Sequence, residues 1–173
     1  MKTGEDGRSA QDGTAGNPMI SVLFVCHGNI CRSPMAEFVL KAKLRERGLE
    51  ERVAVASAAA HDDEIGSPVY PPVRRLLAAH AIDCAGKTAR LLTAADYDRY
   101  DLLIGMDRHN LADMRRLFGG DPEGRLRLLK DFAGEPGGDV ADPWYTRDFE
   151  ATWREVNAGC DGILARLRSG EAL

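Results

Sequence analysis

Apolar residues enter the chain in short β-rich bursts, separated by longer stretches with helical spacing. The first burst, Ile20-Ser21-Val22-Leu23-Phe24-Val25, has the texture of a strand buried in a parallel sheet. Gly28 and Asn29 come next, and then Ser33-Pro34-Met35-Ala36-Glu37. Serine before proline, with an acid nearby, predicts a helix with Ser33 as N-cap and Pro34 at its first position. That helix is predicted to run to about Arg47 and to stop at Gly48. Met35, Phe38, Val39, Ala42 and Leu44 would form its inner face.

The same alternation continues downstream. Val53 to Ser57 predicts a second strand, and Pro71-Pro72 opens a helix through Val73, Leu76, Leu77 and His80. Leu102 to Met106 predicts a third strand, and Asp107 is placed to cap a helix reaching about Phe118. Gly119-Gly120-Asp121-Pro122 breaks that helix, and Leu126 to Leu129 predicts a short fourth strand. A glycine- and proline-rich loop at 134–138 leads to Asp142-Pro143-Trp144-Tyr145. The last helix carries Phe149, Trp153, Val156, Ile163, Leu164 and Leu167, with Gly159 and Gly162 predicted as weak points. Strands alternating with helices imply an α/β three-layer sandwich: a four-stranded, doubly wound parallel sheet with helices on both faces. Such sheets bind ligands outside the carboxyl ends of their strands, where the loop after the first strand begins.

Residues 1–18 mix glycine, serine, threonine and charges without an apolar run, which predicts a disordered tail and a single folded domain over 19–173. A net charge of -4 and a pI of 5.6 give no global reason to bind nucleic acid or an anionic membrane. No run approaches a membrane span. The four cysteines at 26, 31, 84 and 160 are sparse and irregular, with no CxxC pair. This favours the reducing cytoplasm over a secreted disulfide scaffold, and no metal site is expected.

The loop from Cys26 to Ser33 has a chemistry of its own. A cysteine ends a buried strand, an arginine lies six positions later, and a helix begins at once. If the intervening residues curl, their N–H groups and the helix N-terminus form an oxyanion cradle. Gly28 permits a positive φ or a close backbone approach, and Asn29 tolerates the left-handed conformation. Arg32 offers a planar fork matched to two phosphate oxygens. The same field favours thiolate over thiol at Cys26, and Ser33 could donate its hydroxyl to that sulfur. A nucleotide loop of the Walker type is excluded, since its lysine is missing, and a dinucleotide loop would need three glycines.

Cys26-His27-Gly28-Asn29-Ile30-Cys31-Arg32-Ser33-Pro34-Met35-Ala36-Glu37 resembles the active-site loop of the low-molecular-weight protein tyrosine phosphatases. The resemblance extends from about Ile20 to Leu167. It includes Ser57-Ala58-Ala59, Ala89-Arg90, Met106-Asp107 with Asn110-Leu111, and Asp142-Pro143-Trp144-Tyr145 followed by Asp148-Phe149-Glu150. It implies a flavodoxin-like fold and a phosphotyrosine hydrolase working through a phosphocysteine. Cys26 would be the nucleophile, Arg32 the phosphate clamp, and Asp142 the general acid and base. Residues 27–32 (His27, Gly28, Asn29, Ile30, Cys31 and Arg32) would hold the phosphate, supported by Ser33 and Ser57. Trp144 and Tyr145 would wall the ring. Isoleucine at 30 is similar to the tyrosine-directed branch, whereas arginine phosphatases of this fold have threonine. Cys31 is near enough to Cys26 for a reversible disulfide under oxidation, a protective role seen in relatives, with plain packing of the loop as the alternative. The resemblance implies no cofactor and no metal. Its implied partners are phosphotyrosine proteins and a cognate tyrosine kinase, and the expected state is a cytoplasmic monomer.

Two departures from the family pattern concern the tether and the rim. Lys87 stands where relatives often carry a histidine that helps hold the loop asparagine, leaving Ser57 as the expected partner of Asn29. An aromatic on the far rim is replaced within His61-Asp62-Asp63-Glu64, which predicts an acidic rim. His27, where relatives have an apolar residue or threonine, is expected to be a partly exposed loop side chain. Thioredoxin-coupled arsenate reductases share the fold and loop but relay through paired cysteines on a mobile segment. Cys84 and Cys160 form no such motif. A non-catalytic phosphate-binding module would be expected to lack Cys26, Arg32 or Asp142. His80 and His109 are expected on helix surfaces, and Arg74-Arg75 and Arg115-Arg116 on solvated helix faces.

Overall fold

The computed structural model describes residues 19–173; the predicted tail at 1–18 lies outside them. Four strands, β1 (Ile20–Cys26), β2 (Val53–Ala59), β3 (Leu102–Gly105) and β4 (Leu126–Leu128), form one parallel sheet in the order β2-β1-β3-β4. The helices are α1 (Arg32–Glu46), α2 (Pro71–Ala79), α3 (Asp96–Arg99), α4 (Arg108–Phe118), α5 (Pro143–Thr146) and α6 (Phe149–Ser169). The chain leaves β1 in opposite directions, first to β2 and later to β3. Their carboxyl ends therefore diverge into the crevice where open parallel sheets take ligands.

Alternation along β1 splits the core in two. Val22 and Phe24 face a layer formed by α1, α2 and α6, whose Met35, Val39, Leu40, Val73, Leu77, Val156 and Ile163 are buried with them. Leu23 and Val25 face α3 and α4, against Tyr97 and Met114. The three-layer expectation holds. Each fully buried leucine- or phenylalanine-sized side chain contributes about 1.5–3 kcal/mol, and apolar burial on both faces makes β1 a rigid support for the loop at its carboxyl end.

Several local expectations change. The N-cap of α1 is Cys31 and makes no side-chain cap bond, while Ser33 sits fully buried in the first turn. Its hydroxyl is used by the loop instead of the helix end. Leu40 and Ala36 join Met35, Val39 and Leu44 in the core, while Phe38 and Ala42 are only partly buried. Between the sheet and α6, α1 buries a wider arc than a one-sided surface helix. The Asp107 cap is present as a full capping box with Asn110, and Gly119 closes α4 in the left-handed conformation. After β4 the chain turns into a 3-10 segment, Leu129–Ala133, that the apolar pattern does not distinguish from strand.

The predicted weak point in α6 is not one. The helix runs unbroken for 21 residues through Gly159 and Gly162. A Cβ at Gly162 would overlap the Phe132 carbonyl, and one at Gly159 would strike the Leu129 side chain. Both glycines form a notch into which the 3-10 segment presses.

Candidate active site

The loop after β1 closes over a helix start. Its carbonyls turn outward: Cys26 O accepts from Ala60 N (2.9 Å), His27 O from His61 N (3.0 Å) and Ile30 O from Tyr70 N (2.9 Å). The curl is completed at Asn29, the one left-handed residue of the loop, with φ 59°. The sequence allows Gly28 this conformation too; the structure gives it to asparagine. A Cβ on Gly28 would meet Glu64 at 3.5 Å and Ile30 at 3.9 Å, both ordinary contacts.

Asn29 is held through both of its amide protons and its carbonyl oxygen. Nδ2 donates to Ser33 Oγ (2.8 Å) and Ser57 Oγ (2.9 Å), and Oδ1 accepts from Arg90 N (3.2 Å). Three hydrogen bonds on a buried side chain offset the cost of about 1–2 kcal/mol for a left-handed non-glycine residue. Ser57 therefore tethers Asn29 as expected, joined by Ser33 and the Arg90 backbone. Ser57 Oγ in turn donates to Glu37 Oε1 (2.6 Å). Glu37, in sequence only an acid near a helix start, is buried.

At the base of the loop, Cys26 Sγ lies 2.9 Å from Ser33 Oγ and accepts from Ser33 N at 3.4 Å. Cys26 is 3% exposed. Cys31, also buried, is a poor thiolate: burial first, then the nearby Cys26 and Asp142 charges, push its thiol up to about 12.

Arg32 is buried, and its guanidinium spans three elements. Nη1 donates to Asp107 Oδ2 (2.7 Å) and the Val140 carbonyl (3.0 Å), and Nη2 to Asp142 Oδ2 (3.2 Å). Burial would weaken its charge, but Cys26, Asp107 and Asp142 more than restore it. Burial likewise opposes ionisation of Asp107, yet its bonds to Arg32 and the Asn110 amide hold its carboxyl below the usual carboxylate range. Asp107 thus caps α4 with one oxygen and orients the clamp with the other. The sequence pattern reveals only the cap.

Asp142 precedes α5 as its N-cap, with Oδ1 accepting from Trp144 N at 3.0 Å. Trp144 and Tyr145 stand at the mouth, 44% and 81% exposed. Trp144 packs against Tyr70 (centroids 5.2 Å apart), and the Arg147 guanidinium lies over Trp144 at 5.5 Å while donating to Tyr70 Oη at 2.8 Å. Neither Tyr70 nor Arg147 carries a sequence signal. The opposite rim is His27 and His61, stacked at 4.2 Å, with His27 on Asp63 (2.5 Å) and His61 on Asp113 (2.8 Å). His27 is half exposed, as expected of it. These walls enclose a cleft of about 580 Å³ reaching from Cys26 to Tyr145, with His109 and Glu64 also lining it. His109 therefore borders the cleft rather than lying on a plain helix surface. His80, outside the site, stacks on Trp153 at 4.0 Å.

The described residues hold no cluster of histidine, cysteine and acidic side chains fit for a metal ion, and no helix among them is long and apolar enough to cross a membrane.

The family model of the low molecular weight phosphotyrosine protein phosphatases matches residues 21–172. The chain is 35% identical over 156 residues to the low molecular weight protein-tyrosine-phosphatase YfkJ of Bacillus subtilis, covering 90% of this chain and all of that protein. It is 34% identical to PtpA of Staphylococcus saprophyticus, over 84% of this chain and 92% of that protein. The crystal structure of YfkJ superposes with a TM-score of 0.86 over 91% of this chain and 99% of that one. That of SP-PTP from Streptococcus pyogenes gives 0.77 at 35% identity, over 86% and 93%. A cysteine under a curled loop, an arginine bound to two aspartates, and likeness over nearly the full domain lead to one assignment: the chain belongs to the low molecular weight phosphotyrosine protein phosphatase family.

Proposed function

We propose that the enzyme, a protein-tyrosine phosphatase, hydrolyses phosphotyrosine in proteins through a phosphocysteine on Cys26. The observation that carries this reading is the meeting of Cys26, Arg32 and Asp142 in one cleft, with Arg32 bonded to Asp142 and Cys26 to Ser33.

The cycle has two steps. The dianionic ester enters the loop, its oxygens facing the amides of residues 27–32 and the Arg32 fork. Cys26 Sγ attacks phosphorus in line with the ester oxygen, the P–O bond breaks, and Asp142 gives its proton to the departing phenolate. Asp142, now a carboxylate, takes a proton from the water that attacks the phosphocysteine. The P–S bond breaks and inorganic phosphate leaves. Ser33 can donate its hydroxyl to sulfur as it departs, since its oxygen already accepts from Asn29.

Trp144 and Tyr145, with Tyr70 beside them, make one wall for an aryl ring, which favours phosphotyrosine over the shorter phosphoserine. Ile30 places an apolar side chain rather than a hydroxyl in the loop. A monomer in the reducing cytoplasm, opposed to a cognate tyrosine kinase, suits four free cysteines.

The test is hydrolysis of p-nitrophenyl phosphate and a phosphotyrosine peptide in the presence of EDTA, alongside phosphoarginine and phosphoserine, with reduction of arsenate measured separately in the presence of a dithiol reductant. Phosphotyrosine turnover in the wild type and none in Cys26→Ser is expected. Undiminished hydrolysis by Cys26→Ser, or a preference for phosphoarginine or arsenate, overturns the reading.

A further inference from the structure

Lys87 lies 14% exposed beside the 5%-exposed Glu37, with Nζ 3.4 Å from Oε1. The same Nζ donates to the Ser57 carbonyl at 2.9 Å. Ser57 is on β2, an edge strand whose outer side is covered at Ala59, where Ala59 N donates to Arg90 O and Leu92 N to Ala59 O. The ammonium takes the next carbonyl along that edge. Lys87 therefore grips Ser57 twice: directly at its backbone, and through Glu37 at its hydroxyl.

The hydrogen-bond directions beyond that point are forced. The Glu37 carboxylate can only accept, so Ser57 Oγ must donate to it. Ser57 Oγ is then free to accept from Asn29 Nδ2. Because Asn29 Oδ1 accepts from the Arg90 amide, which can only donate, Nδ2 has no other assignment. Its second proton goes to Ser33 Oγ, leaving the Ser33 proton for Cys26 Sγ. A buried carboxylate of this kind requires compensating cations. Here they are Lys87 and Lys41, the latter 2.6 Å from Oε2 but 39% exposed. Burial lowers the basicity of Lys87, and the Glu37 charge opposes that drop.

We propose that Lys87 is a positioning residue for the nucleophile, fixing through Glu37, Ser57, Asn29 and Ser33 the donated hydrogen bond that ends on Cys26 sulfur. This rests on the reading of Cys26 as the reactive thiol. It assigns to a side chain with no place in the cleft a share in the reactivity at its base.

The experiment measures the rate of Cys26 alkylation by iodoacetamide at pH 6.5, with the thermal midpoint of each variant, for Lys87→Met, Lys87→Arg and Ser57→Ala. A hydrogen bond contributing about 1 kcal/mol corresponds to roughly a fivefold rate. Lys87→Met is expected to slow alkylation about three- to tenfold, and Lys87→Arg to bring it back within about twofold of wild type. Ser57→Ala keeps the Lys87–Glu37 pair but cuts the relay, and the same slowing is expected; it also decides the case if Lys87→Met does not fold. Folded Lys87→Met, or Ser57→Ala, alkylated at the wild-type rate overturns the proposal, as does failure of arginine to rescue. Alkylation consumes no phosphoester, so absence of hydrolysis would sink the enzymatic reading while leaving this one standing or falling on its own.

Discussion

Asp142 Oδ2 and Arg32 Nη2 lie 3.2 Å apart, so the predicted acid and the predicted clamp are bonded to each other. In the proposed mechanism an entering phosphate would compete with Asp142 for Nη2, and winning that contact would free the carboxyl to face the ester oxygen. The other amino group, on Asp107 and Val140, is untouched by the exchange.

Asp142→Ala is accordingly expected to separate binding from chemistry. The kcat for phenyl phosphate should fall by about 10²-fold or more, the usual size of a general-acid contribution. Competitive inhibition by inorganic phosphate should be as strong as in wild type or stronger, since its rival is gone. Steady-state kinetics with phosphate inhibition checks both, and weaker phosphate binding in the variant would count against the exchange.

Asn29→Gly and Asn29→Ala distinguish conformation from tethering. Glycine accepts the φ of 59° but loses the three side-chain bonds; alanine loses the bonds and adds a cost of about 1 kcal/mol. Activity should fall roughly tenfold or more in Asn29→Gly if each lost bond is worth about 0.5–1.5 kcal/mol, and further in Asn29→Ala. Equal activities in the two variants would show that backbone strain at this position is negligible.

Gly162→Ala tests the notch in α6. In an open helix the change would stabilise by about 1 kcal/mol. Here the new methyl overlaps the Phe132 carbonyl, and destabilisation by about 1–3 kcal/mol is expected, the usual cost of overpacking. A urea midpoint at or above that of wild type would refute the close contact.

Acid should unfold the protein through specific aspartates. Burial opposes ionisation of Asp96, Asp107 and Asp121, but Arg90 with Thr93, Arg32 with Asn110, and Tyr97 with the Arg125 and Leu126 amides outweigh it and depress all three. A carboxyl depressed in the folded state takes up its proton first in the unfolded chain. The stability it contributes is full above the ordinary aspartate value of about 3.9 and is lost as pH falls from there through the depressed folded values. Thermal melts from pH 7 to 2.5 should show a steep loss below about pH 4, less steep in Asp96→Asn, whose baseline stability is lower.

Thiol labelling at pH 7.5 should mark one site. Burial pushes Cys31 and Cys160 up to about 12 and raises Cys84 as well, so all three resist alkylation while folded. Mass spectrometry after brief iodoacetamide treatment should find one adduct, on Cys26, with inorganic phosphate protecting it. Equal labelling of Cys31 would contradict the upward push on its thiol.

Strands, helix order and the loop at Cys26 were legible because each has a local cause: apolar runs, proline and glycine punctuation, and a strand–loop–helix sequence. The roles of Glu37, Asp107 and Lys87 were not. Each owes its function to a partner 20 to 75 positions away, as in Ser57 with Glu37 and Arg32 with Asp107. Ser33 shows the limit most directly: its sequence context reads as a helix cap, and tertiary contacts claim its hydroxyl for Cys26 and Asn29. Gly159 and Gly162 mislead for a related reason, since propensity counts the missing side chain as a loss and cannot see the backbone that occupies its space.

The packing of α6 also sets when the enzyme can first act during its synthesis. The proposed nucleophile lies at position 26 and the proposed acid at 142, and α6, later still in the sequence, packs against both α1 and the 3-10 segment. At about 5–20 residues per second, the chain spends roughly 6 to 23 seconds with Cys26 made and Asp142 not yet translated. A nascent chain thus carries its thiol well before it carries the proposed acid, and the α6 face that packs on α1 is made later still.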